Sequence, residues 1–163
     1  VDIHAAAEAA VHRLVERGET LATAESLTGG LIAATIVEIP GVSAVYRGGL
    51  VVYATDLKNR LAGVSRDLLD ERGPVDPEVA LALAAGARER CGADWAVATT
   101  GVAGPDPQDG KPVGLVYVSV AGPTGAVVRE LKLGGSRAEI RSESVTSVLR
   151  LLSNRLAEAS ATP

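Results

Sequence analysis

Apolar positions at the start of the chain fall on one helical face: Ile3, Ala6, Ala10, Leu14 and Val15, with Asp2 placed to cap the helix and Gly18 to end it. The pattern then shortens to a strand over residues 20–24. A loop of Glu25, Ser26, Leu27, Thr28, Gly29 and Gly30 leads into a helix over residues 31–39, which Pro40 and Gly41 stop. Residues 45–54 read as a strand, with Gly48-Gly49 as a bend or bulge. Short helices follow over 55–61, closed by Gly63, and over 66–71, capped by Ser65. Asp76-Pro77-Glu78 is a strong helix start, with a capping carboxylate followed by Pro at the first helical position; that helix runs to about residue 90, and Gly92 ends it. A strand over 94–100 opens into a Gly- and Pro-rich loop at 101–114. Strands at 115–121 and 126–133 flank Gly122-Pro123-Thr124-Gly125, a hairpin signal. Ser136 and Glu139 have the spacing of a capping box, so the last helix starts there and runs to about residue 158, with a frayed tail at 159–163. Strands interleaved with helices, plus one hairpin, predict an α/β fold with a mixed sheet and helices on both faces.

Composition sharpens this picture. The 163 residues read as a single domain, 1–163, with no internal repeat or linker. Phe and Met are absent, and one Trp and three Tyr supply the aromatics, so Ala, Val, Leu and Ile must fill the core. The net charge of −4 leaves no broad basic face for nucleic acid. No apolar run is long enough for a membrane span, and the N-terminal residues lack the basic region of a signal peptide. A single cysteine, Cys91, excludes an internal disulfide and suits a reducing cytoplasm.

Four segments carry candidate chemistry. Ser43 follows a Pro-Gly turn, Tyr53 closes a strand and Lys58 lies in a first helical turn, which makes Ser43 a candidate nucleophile and Lys58 its base, with Tyr53 in support. A lysine can serve as base when burial and a helix dipole disfavour its ammonium; Asp56, if close, would work the other way. The same three residues also read as a turn cap, a strand end and a solvated helix residue. Thr100 and Gly101 open the second segment, where a strand runs into a loop whose N–H groups could face an anion or oxyanion, or simply turn the chain. The third is Arg137 and Arg141, one helical turn apart at a helix N-terminus, where a bound phosphate or salt bridges to Glu139 and Glu143 would offset two cations at the unfavourable end of the dipole. The fourth is Glu25, Ser26 and Thr28, which could touch substrate or hold the neighbouring loop. His4 and His12 are spaced too far apart to chelate, and no metal-ligand cluster or cofactor fingerprint is present.

In order along nearly the whole chain, these segments resemble the C-terminal domain of the CinA (competence/damage-inducible) family, the nicotinamide-nucleotide amidases. The matching pieces are Thr23-Ala24-Glu25-Ser26, Thr28-Gly29-Gly30, Gly41 to Ser43, Gly48-Gly49, Tyr53, Lys58, Thr100 to Asp106, Lys111 to Gly114, and Gly134 to Arg141. The resemblance implies a three-layer α/β/α sandwich with a mixed β-sheet. It also implies hydrolysis of nicotinamide mononucleotide to nicotinate mononucleotide and ammonia, as in pyridine nucleotide salvage, by a Ser/Lys mechanism that requires no metal or cofactor. Carried over by position, Ser43 is similar to the nucleophile, Lys58 to the base and Tyr53 to a supporting tyrosine. Thr100 is similar to a substrate contact, and one or both of Arg137 and Arg141 to the phosphate contact. Many members carry an N-terminal nucleotide-processing domain, and this chain resembles the stand-alone form. It departs from the family at Leu27, where Cys is frequent, at Val42, where Ser is frequent, and at Ser136, where Asp is usual. The expected partner is a small nucleotide, with neither nucleic acid nor membrane; an exposed sheet edge or apolar helix face could pair subunits. Two rival functions remain open: a non-catalytic nucleotide-binding or regulatory module, and an amidase for another small amide.

Overall fold

A computed structural model describes residues 2–161. Helix α1 (Ile3–Arg17) is capped by the Asp2 carboxylate, which accepts from His4 N, and is ended by Gly18 in the left-handed region at φ 65°. Then follow β1 (Leu21–Glu25), α2 (Leu31–Ile36), a short 3-10 turn (Val42–Ala44), β2 (Tyr46–Val51), α3 (Thr55–Arg60), α4 (Arg66–Arg72) and α5 (Pro77–Cys91). The chain finishes with β3 (Trp95–Gly101), β4 (Leu115–Gly122), β5 (Gly125–Lys132) and α6 (Arg137–Ala161). The Asp76 carboxylate caps α5 through Glu78 N and Val79 N, with Pro77 in the first turn. At α6 the capping box forms: Ser136 N donates to Glu139 Oε1 and Glu139 N donates to Ser136 Oγ. The expected fraying does not begin at residue 159, since α6 continues to Ala161; residues 162–163 of that tail, and residue 1 of the expected domain, lie outside the described residues.

The sheet is mixed and open, with strand order β2-β1-β3-β4-β5. β1 runs parallel to both β2 and β3, while β3–β4 and β4–β5 are antiparallel. The bulge expected at the paired glycines lies just before them: the β1–β2 register passes over Arg47, while Gly48 and Gly49 pair with Ala22 and Thr23, and Gly48 takes φ 152°. Alternation along β3 separates two cores. Trp95 and Val97 face a cluster with Leu14, Ile32, Leu149 and Leu152 from α1, α2 and α6. Ala96 and Ala98, with Ala22 and Ala24, face Val79, Leu83, Ala84 and Ala87 of α5. Helices on both faces of the sheet make the three-layer α/β/α sandwich.

Small residues on the second face let α5 come close. A Cβ on Gly86 would lie 1.8 Å from the Ala62 carbonyl oxygen. β2 ends earlier than the pattern suggested, at Val51 rather than at residue 54, because the next two carbonyls turn toward Lys58. α2 likewise stops at Ile36, and residues 37–41 form turns.

Candidate functional site

In an open α/β sheet the ligand crevice lies beyond the C-terminal ends of the parallel strands, where successive connections leave in opposite directions. Here β2 lies on one side of β1 and β3 on the other, so the segments that follow β1, β2 and β3 surround one cleft. It encloses about 510 Å³ including its open mouth, and its lining includes Ser26, Tyr53, Lys58, Pro74, Thr100 and Arg137.

Ser26 immediately follows β1. Its N–H donates to Thr99 O at 3.2 Å, which extends the pairing by one residue before the chain turns away. Glu25 is 1 % exposed, and its carboxylate accepts from Ile32 N at 2.8 Å and Ala33 N at 3.1 Å. The acid therefore caps α2 from behind and folds residues 26–30 into a tight turn. Gly29 and Gly30 make that turn with φ of 56° and 102°. The Thr28 and Thr99 hydroxyls are 2.9 Å apart and buried. Arg141 reaches across from α6, its Nε donating to Leu27 O and its Nη2 to Thr28 O, both at 2.9 Å. The turn carrying Ser26 is thus fixed by a carboxylate below and a guanidinium above.

Lys58 is 1 % exposed. Its Nζ lies 2.9 Å from Ser26 Oγ, 2.8 Å from Val52 O and 3.2 Å from Tyr53 O. Among the described residues no carboxylate pairs with it, and Asp56 faces a separate groove on the outside of α3. Burial without a counter-charge lowers its pKa from the ordinary 10.5 to about 8. The two carbonyls also set the direction of its lone pair. Carbonyls can only accept, so in the neutral amine both N–H groups go to Val52 and Tyr53, and the lone pair faces the Ser26 hydroxyl.

Ser43 is elsewhere. It sits exposed in the turn before β2, beside Val45, whose carbonyl accepts from Leu21 N at the start of β1. β2 separates it from Lys58, and six strand residues span about 20 Å. The Ser43–Lys58 pair expected from the sequence is therefore not formed; Ser26 takes that place. The signal was present in the order of elements, because Ser26 follows a parallel strand whereas Ser43 precedes one.

The remaining predicted positions divide between the cleft and its supports. Tyr53 is 59 % exposed at the cleft mouth. Its phenol accepts from Arg137 Nη2 at 3.0 Å, so its carbonyl, not its hydroxyl, touches Lys58. Arg137 lines the cleft and also donates to Gly104 O. Arg137 and Arg141 therefore part ways, the first facing the cleft and the second holding the Ser26 turn. Glu139, one expected ion-pair partner, is engaged by Ser136 instead, and those hydrogen bonds hold its carboxyl below the usual range. Thr100 is buried, its hydroxyl donating to Pro74 O at 2.6 Å. Gly101 must be glycine because a Cβ would come within 2.8 Å of Leu115 O on the neighbouring strand. Among the described residues, the backbone N–H groups of Leu27, Ala103 and Gly104 have no protein acceptor, and all three residues line the cleft. Buried unpaired donors of this kind suit a developing oxyanion.

The CinA C-terminal domain model matches residues 3–156. The chain belongs to that family. A CinA-like protein of Frankia casuarinae is 50 % identical over 144 residues, which is 88 % of this chain and 33 % of that protein. One from Geobacter sulfurreducens is 47 % identical over 154 residues, 93 % of this chain and 37 % of that one. The chain thus spans about a third of the length of the curated relatives it matches. Among solved structures, the competence/damage inducible protein CihA from Agrobacterium tumefaciens superposes with a TM-score of 0.91 at 39 % identity, covering 96 % of each chain. A CinA-superfamily protein from Klebsiella pneumoniae gives 0.93 at 26 % identity, covering 97 % of this chain and 99 % of the other. The CinA domain described here accordingly keeps the family fold from end to end. Among its described residues no helix is long and apolar enough to cross a membrane, and no group of three or more His, Cys, Asp or Glu could hold a metal ion.

Proposed function

We propose that this CinA domain is a serine amidohydrolase that converts nicotinamide mononucleotide to nicotinate mononucleotide and ammonia, with Ser26 as nucleophile and Lys58 as general base. The observation that carries the reading is the buried contact of 2.9 Å between Lys58 Nζ and Ser26 Oγ, with two carbonyls directing the lysine lone pair at the serine. Ser26 Oγ attacks the carboxamide carbon as its proton passes to Lys58. The N–H groups of Leu27, Ala103 and Gly104 receive the oxyanion. Lys58, now ammonium, returns the proton to the amide nitrogen, the C–N bond breaks and ammonia leaves. Water then attacks the acyl-enzyme, its proton goes to Lys58 and on to Ser26, and the acid is released. Arg137, which lines the same cleft as the serine, is the group for the phosphate, and Tyr53 places an aromatic face beside it. Glu25, Thr28 and Arg141 act by holding the turn.

The test is ammonia release from nicotinamide mononucleotide by wild type, Ser26→Ala, Ser43→Ala and Lys58→Arg. Release should vanish in Ser26→Ala and in Lys58→Arg, whose guanidinium stays charged, and persist in Ser43→Ala. A Ser26→Ala protein that still turns over would overturn the assignment.

A further inference from the structure

The hydroxyl of Thr100 can donate only once, and the structure shows where that hydrogen goes. Its Oγ1 is 2.6 Å from Pro74 O, and a carbonyl oxygen cannot donate in return. Both residues line the cleft with Ser26 and Lys58. Toward a bound molecule Thr100 therefore presents lone pairs alone. The neutral Lys58 is constrained in the same sense, since its N–H groups are held by Val52 O and Tyr53 O. Thr100 and the neutral Lys58 thus both offer the cleft they share with Ser26 acceptors and no free hydrogen.

We infer that Thr100 is a specificity-determining contact that reads the hydrogen-bond polarity of the scissile group, accepting an N–H of a primary carboxamide and opposing the carboxylate of the product. This rests on the amidohydrolase reading above and adds to it the feature that separates substrate from product. A carboxamide nitrogen carries two N–H donors, one for Thr100 and one free, and its third direction is left for the proton that Lys58 returns. A carboxylate offers only acceptors, so its oxygen would face Thr100 lone pair against lone pair. An ester at the same place has no hydrogen for Thr100 either. The same polarity suits the second half of the cycle. Water entering where ammonia left donates one O–H to Thr100 and the other to Lys58, which leaves an oxygen lone pair for the acyl carbon. The C–O bond forms as that proton passes to Lys58 and on to Ser26 Oγ, whose bond to the acyl carbon breaks; the acid keeps the other proton, loses it to solvent, and the resulting carboxylate, lacking a donor, is pushed out.

The experiment compares binding of nicotinamide mononucleotide and nicotinate mononucleotide to Ser26→Ala, to Ser26→Ala/Thr100→Val and to Ser26→Ala/Thr100→Ser, with ammonia release by the wild type measured alongside. Ser26→Ala should bind the amide about tenfold more tightly than the acid, the worth of one hydrogen bond gained and one repulsion avoided. Thr100→Val should bring that ratio to about one, and Thr100→Ser, which keeps the hydroxyl, should retain it. Loss of the Pro74 contact alone would weaken both ligands together and leave the ratio unmoved. An unmoved ratio in Thr100→Val, or an acid that binds as well as the amide in Ser26→Ala, would overturn the inference while a wild type that releases ammonia keeps the amidase. A wild type that releases none would overturn both.

Discussion

If Lys58 must be neutral to take the proton of Ser26, then activity follows its titration. Burial holds that titration at about 8, against an ordinary 10.5. The neutral fraction rises from about a tenth at pH 7 to about nine-tenths at pH 9, so kcat/KM should climb about tenfold over that range and level off above it. A lysine at its ordinary pKa would instead give a rise of about a hundredfold over the same two units, still continuing at pH 10. The assay is ammonia release at sub-saturating nicotinamide mononucleotide between pH 7 and 10. Starting at pH 7 keeps the substrate phosphate, whose second ionisation lies near pH 6, out of the profile. A second readout uses the same shift. The folded pKa lies below the unfolded one, so between about 8 and 10.5 the unfolded chain binds more protons and the fold gains stability as pH rises. Below that window both states are protonated and the folded state carries the cost of a buried ammonium, roughly 3 kcal/mol for a shift of this size. Stability of the wild type relative to Lys58→Met should therefore improve by about that amount between pH 8 and 10.5 in urea unfolding. A rate that is flat from pH 7 to 9, or that keeps rising past pH 10, would refute the reasoning, as would parallel stability curves for the two proteins.

Three further outcomes follow from named contacts. Arg141→Gln should lower kcat by about tenfold or more with little change in KM, because the side chain holds the Ser26 turn through Leu27 O and Thr28 O without lining the cleft; a pure KM effect in steady-state kinetics would return it to the phosphate. Arg137→Ala should raise KM for the phosphorylated substrate by about tenfold or more and leave a substrate without phosphate untouched, and equal losses for both would remove Arg137 from phosphate binding. Gly86→Ala ought to stabilise an exposed helix by about 1 kcal/mol, yet here it should destabilise by about 1–3 kcal/mol in thermal or urea unfolding, since the new methyl meets Ala62 O. A more stable Gly86→Ala protein would mean that α5 is free to move outward.

Local signals carried most of the fold. Asp2, Ser65, Asp76-Pro77 and the Ser136–Glu139 box mark helix starts through contacts only two or three residues long, and such contacts leave a direct imprint on sequence. The glycine pair at 48–49 marked the bulge only to within one residue, since it falls at Arg47. The site was less legible because its contacts are long-range. Ser26 meets Lys58 across 32 residues and Arg141 meets Leu27 across 114. Ser43 precedes β2 in the order of elements, but that order alone does not place it at the far end of the sheet. That follows only from the parallel pairing of β1 with β2. Lys58 carried no sign of burial either, since its neighbours Asp56, Asn59 and Arg60 are polar and its concealment comes from β1 and the turn after β2. The two arginines looked equivalent as an i, i+4 pair, and only the position of the Ser26 turn beside α6 separates them.

The guanidinium clamp on the Ser26 turn has a consequence for the order of synthesis. The Ser26 turn leaves the ribosome well before Arg141, which meets Leu27 across 114 residues and lies in α6, the helix that also closes the core beside α1. A growing chain can pair β1 with β2 and bury Lys58, but it cannot lock the turn until α6 has docked. Hydrolytic competence should therefore appear abruptly and late. Stalled nascent chains with tethers of increasing length should gain the proposed amidase activity only once α6 has cleared the exit tunnel, so this helix acts as a built-in completion signal for the domain.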